Sequence, residues 1–176
     1  MNKETGRSVI PHQAVRLDLA VHEDYENFLR RFESAVPMFN RDRAVELVAR
    51  KAPWPEVVAE AAVTAPHAFL LYWKLDLTPI MSLAGATRRA TEYLMGNHII
   101  AETMHRHDPA VGLYVPLRCI VYEGDSETRF AIEQPSTTLS SLGRGKIAQV
   151  GKDLDHKLAK LLETLGAEVP GTLLLA

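Results

Sequence analysis

The chain has a single cysteine, no apolar run near the roughly 20 residues that span a bilayer, and no surplus of either charge. Each shortage closes a route. Cys119 cannot form an internal disulfide, and its apolar surroundings read as a buried reduced thiol, which fits a cytoplasmic setting. The polar opening MNKETGRS lacks the apolar core of a secretory signal, so no membrane partner is expected. A net charge of −2 offers no basic excess to hold a phosphate backbone, and no nucleic-acid partner is expected either. A P-loop, a dinucleotide fingerprint, a nucleophile elbow and cysteine-type zinc spacing are all missing, so no cofactor is expected.

What is present suits a packed domain. The 176 residues are 47% hydrophobic and 24% charged, enough to bury a core without staples. Residues 1–11 read as a disordered lead-in, and 12–176 as a single α+β domain. Alternation from Gln13 to Val21 predicts a half-buried strand. Tyr25, Phe28, Leu29, Phe32 and Val36 then recur at helical spacing, with Glu23 and Asp24 before them and Pro37 after. Residues 40–65 read as an insertion of two short helices, punctuated by Pro53 and Pro55. The dense run 67–77 predicts a central strand, and Ile80–Leu83 and Arg88–Met95 two more. Asn97 is placed to cap a helix that ends at Asp108-Pro109. Gly112–Glu123 predicts a long strand interrupted by Pro116, turning at Gly124-Asp125 into Thr128–Glu133. Residues 135–145 read as a loop. Ile147, Val150, Leu154, Leu158, Leu161 and Leu165 form the stripe of a last helix over 146–165. A sheet covered on one face by helices satisfies this order.

The stretch from Tyr93 to Gly143 resembles the bacterial and archaeal family named domain of unknown function 302. The resemblance is carried by Gly96-Asn97, Asp108-Pro109, Gly112-Leu113, Val115-Pro116-Leu117 leading into Val121-Tyr122-Glu123, and Gln134-Pro135. It implies a curved antiparallel sheet packed on the long C-terminal helix, of the helix-grip or TATA-binding-protein-like type (β-α-β(4)-α). It implies a homodimer and no particular activity. Two features depart from the family pattern. His98 stands where proline usually follows Gly-Asn, and the 40–65 insertion looks larger than the family needs.

Candidate chemistry falls in two places. His98 lies in a helix's first turn after the Gly96-Asn97 corner, where backbone N–H groups lower a histidine's pKa and favour a neutral imidazole able to act as a base. The alternative is a surface histidine. His98, Glu102 and His105 share a helical face. However, that face lies opposite Ile99, Ile100, Thr103 and Met104, and His105 is about 10 Å from His98 along the axis, so no metal site is assigned. The second place is the sheet. Tyr72 and Trp73, Tyr93, and the evenly spaced Tyr114, Arg118 and Tyr122 either line a pocket or form ordinary cross-strand pairs.

Three functions follow. The first is a small-molecule-binding domain with its pocket between sheet and C-terminal helix, using Asn97, Trp73, Tyr72, Tyr114, Arg118 and Tyr122. The second is an isomerase, cyclase or lyase with His98 as base and Tyr93 beside it. The third is a ligand-free dimeric interaction module. Fold alone does not separate them.

Overall fold

The computed structural model describes residues 9–175, so most of the expected lead-in over 1–11 lies outside the described residues. Alternation builds β1 (Arg16–Val21), which turns Leu17 and Val21 inward. Asp24 caps α1 (Tyr25–Ala35) by accepting the Asn27 N–H at 3.0 Å. Tyr25, Phe28, Leu29 and Phe32 are all buried, as their spacing predicts.

The insertion is α2 (Arg41–Ala49), capped by Asn40, and α3 (Trp54–Thr64), with Pro55 in its first turn, where a missing N–H costs nothing. There follow β2 (Leu70–Asp76), α4 (Thr78–Ser82), β3 (Ala90–Gly96) and α5 (His98–His105). A 3-10 turn over Pro109–Leu113 leads into β4 (Leu117–Glu123) and β5 (Thr128–Glu133). The chain ends with α6 (Pro135–Leu139) and the long α7 (Gly145–Thr164).

The five strands form one antiparallel sheet in the order β1-β5-β4-β3-β2. α1 and α7 pack on one face. Phe32 meets Tyr93 edge-on at 5.1 Å and tilts against Phe130 at 5.6 Å, and Leu154, Leu158 and Leu161 join the same core. The other face carries Trp73, Glu92, Leu94, Arg118, Ile120 and Tyr122, and is open enough to leave Trp73 and Leu75 more than a third exposed.

Three expected elements differ. Ile80–Leu83 is not a strand. Asp76 accepts the Thr78 N–H at 2.9 Å and Pro79 sits in the first turn, so the chain winds into α4. The long strand from Gly112 begins only at Leu117. Asp108 accepts the Ala110 N–H at 3.0 Å and starts the 3-10 turn, and Pro116 has no N–H to give a ladder. The 135–145 loop contains α6, which the buried Asp155 of α7 anchors by accepting from Ser136 N at 2.9 Å, Ser136 Oγ at 2.5 Å and Gln134 Nε2 at 2.6 Å.

Candidate functional site

The largest departure from the expected layout is where open space lies. The cavity bounded by Phe69, Met104 and Leu154, where α5 and α7 meet the end of the sheet, holds about 10 Å³, less than one water. The expected pocket there is filled by side chains. An apolar groove of about 670 Å³ lies instead between the insertion and the end of β2.

Local sequence explains that groove. After Pro37 the chain runs along the free edge of β2. Leu71 N–H donates to the Pro37 carbonyl at 2.9 Å, and Phe39 N–H donates to the Leu71 carbonyl at 2.8 Å. This lays Phe39 over Tyr72, ring centroids 4.6 Å apart. α2 and α3 then close the far wall. Arg43 joins them, donating to Glu60 at 2.8 Å and to Glu46 at 2.7 Å. Leu47, Ala61 and Leu70 are buried beneath, apart from the main core. The walls are apolar, with Met38 and Trp54 at an exposed rim.

His98 and Glu60 are polar groups in this apolar lining. The hydroxyl of Tyr72 lies 2.7 Å from His98 Nδ1 and accepts the His98 backbone N–H at 3.0 Å. Burial pushes the Tyr72 phenol up to about 12, so it stays protonated. Burial also holds the His98 imidazole below the usual histidine range, with the negative charge of Glu60 opposing it. Both groups are therefore neutral near pH 7. Among the described residues His98 Nδ1 is the acceptor within reach of the Tyr72 hydroxyl proton, so we assign that proton to Nδ1, which places the imidazole hydrogen on Nε2.

The candidate residues fall into three groups. Tyr72 and His98 are brought together, and His98 is half-buried rather than on the solvent face assigned to it from periodicity. Trp73 on β2 and Arg118 and Tyr122 on β4 share the open sheet face; Tyr114 precedes β4 but lines, with Arg118, a concavity of about 690 Å³ on that face. It follows the 3-10 turn, where its hydroxyl meets Ser141 at 3.2 Å. Tyr122 donates to Asp18 at 2.9 Å. Asn97 and Tyr93 are structural. The Asn97 side chain accepts from Ile99 N at 2.9 Å and donates to the Ala68 carbonyl at 3.1 Å, leaving little for a ligand. Tyr93 is fully buried on the helix side, donates to Glu33 at 2.7 Å, and is held well above the usual tyrosine range by burial. It cannot reach a substrate beside His98. Glu102 is bound by Arg106 one turn on.

Sequence reasoning missed Phe39, Met38, Trp54 and Glu60. A signal existed: Met38-Phe39 directly after Pro37, and Trp54 between two prolines, put large apolar side chains where turns usually carry small polar ones.

An antiparallel sheet, helices on one face and a side groove under a helical insertion define the class as an α+β domain. Residues 48–165 match the family described as domain of unknown function DUF302, two thirds of the chain, and the chain belongs to that family. All of α3 lies inside the matched stretch, so that half of the insertion is part of the family domain. A crystal structure of an uncharacterized conserved DUF302 protein from Bacillus stearothermophilus is similar with a TM-score of 0.62 at 14% identity, covering 85% of this chain and 97% of that one, which shows a shared fold. No curated protein matches the sequence. Among the described residues no helix is long and apolar enough to cross a membrane.

Proposed function

We propose that this chain binds a small, mostly apolar molecule in the groove between α2–α3 and β2. The supporting observation is a concavity of about 670 Å³ with apolar walls and a few placed polar groups, the usual make-up of a small-molecule site. The direct test is titration of the protein with the neutral fluorophore 1-aminoanthracene. Emission should rise saturably. Ala44→Trp, which fills the groove from the half-buried face of α2, should abolish the rise while leaving the melting temperature within a few degrees. Unchanged binding by that variant removes the groove from the reading.

Acid–base catalysis by His98 is the second reading. It is disfavoured because the Tyr72 hydroxyl occupies Nδ1 and Nε2 carries hydrogen, so the neutral ring offers a donor where a base needs a lone pair. A dimeric role is supported by the open sheet face, where Arg118 pairs with Glu92 at 3.3 Å and Arg16 stands opposite Glu133, a surface of both charges beside the exposed Trp73 and Leu75 that a two-fold copy could cover. Light scattering of wild type and Arg118→Glu tests it; a monomeric wild type rejects it. We also read the placing of α1 and α7 against one sheet face as helix-grip-like.

A further inference from the structure

Besides Lys51 and Glu60, the polar side chains of the groove lining are Asn40, whose Oδ1 caps α2, Thr64, whose hydroxyl donates to the Glu60 carbonyl, and His98. His98 Nε2 has no protein partner among the described residues and is not sealed from solvent, while Nδ1 is taken by Tyr72 at 2.7 Å. His98 is part of the groove lining. The Tyr72 hydroxyl cannot relax this arrangement cheaply. It receives the His98 backbone N–H at 3.0 Å, and its ring stacks on Phe39 with centroids 4.6 Å apart. The one hydrogen left on the imidazole therefore points out of the Tyr72 pair as a fixed donor.

The same lining excludes ions near that donor. The Glu60 carboxylate is already answered by Arg43 at 2.8 Å, so the pair neither holds a cation in reserve nor offers a free charge to an ionic head group. Lys51, the cation of the lining, is exposed to solvent. Resting on the groove reading, we infer that the ligand is an apolar molecule bearing one neutral hydrogen-bond acceptor, a ketone, ester or amide carbonyl, which receives the His98 Nε2–H.

The test is displacement of 1-aminoanthracene by three matched probes. They are 2-octanone, its isostere 2-methyl-1-octene with CH₂ in place of the carbonyl oxygen, and octanoate. Wild type should bind the ketone about 2- to 10-fold tighter than the alkene, the range of one net hydrogen bond. His98→Phe keeps a ring and the backbone N–H, and should bind ketone and alkene alike. Equal binding of ketone and alkene by wild type overturns the inference and leaves the groove reading standing. So does octanoate binding tightest. Displacement by none of the three, together with no fluorophore binding, overturns both. A measurement without ligand covers failure of the variant to fold. The ¹⁵N spectrum of wild-type His98 should show hydrogen on Nε2, and Tyr72→Phe should release it to a mixture of tautomers. Hydrogen on Nδ1 in wild type overturns the inference.

Discussion

At the residue scale, burial beneath the insertion keeps the His98 imidazole neutral when folded, and this couples it to stability. Its folded pKa lies below the unfolded value of about 6.5, so the unfolded chain takes up the proton first. The contribution is fully present above that value and is lost as pH falls through the folded pKa. Urea unfolding of wild type should therefore show stability falling between pH 7 and 5, and His98→Phe should flatten that part of the curve. An identical pH dependence in the variant would contradict the assignment. Tyr93 makes the opposite case. Its hydroxyl gives a hydrogen bond to Glu33, which Lys74 also holds at 2.6 Å. Tyr93→Phe should cost about 1 kcal/mol in denaturant unfolding and leave fluorophore binding unchanged. A loss of binding without loss of stability would return Tyr93 to the site. Both residues stood out in the sequence as aromatic or imidazole groups near a glycine corner. What separated them was the direction each side chain takes from β3 and α5, which spacing along the chain does not report.

At the element scale, α6 and α7 approach so closely that a Cβ on Gly151 would lie 3.0 Å from the Ser136 Cα and 3.3 Å from the Leu139 Cβ. Two effects compete at that position. Alanine is the better helix former by about 1 kcal/mol. Against this, the obstructing atom is backbone, and overpacking costs about 1–3 kcal/mol. Gly151→Ala should therefore lower the denaturation midpoint, with the loss confined to stability. A raised midpoint would show that α6 yields easily. The stripe on α7 was legible because six apolar residues recur at one period. The close approach was not, because Gly151 reads as an ordinary helix interruption until Ser136 is placed against it. Ile80–Leu83 failed for a related reason. Four residues are too few for periodicity to outweigh an Asp76 side chain and a proline that start a helical turn.

At the scale of the whole molecule, the chain has two unequal packing regions. The main core lies between the sheet and α1 with α7. The smaller one, with Leu47, Ala61 and Leu70, holds α2 and α3 over the groove. α2 and α3 each bury one residue, Leu47 and Ala61, and the ion pairs between them are partly exposed, so each pair adds little. Native-state hydrogen exchange should show α2 and α3 opening at lower free energy than β3 and β4. Exchange of all four only through global unfolding would contradict a separately held insertion. Lower local stability there would suit the proposed groove reading, in which the wall opens to a ligand.

The α+β class, β1, α1, the capped α5, the α7 stripe and the buried Cys119 were determined by the sequence itself, because each rests on local period, capping or composition. The family resemblance rested on short motifs that the match over 48–165 extends into the insertion. Where a cavity remains was decided only by the tertiary structure. Packing fills the space between sheet and α7 and leaves space under α2–α3 and on the open sheet face, and which gaps survive depends on side chains from distant segments meeting or failing to meet. The pairing of Tyr72 with His98, 26 residues apart, is the same kind of fact. Each was a candidate alone, and only the register of β2 against the start of α5 makes them one site.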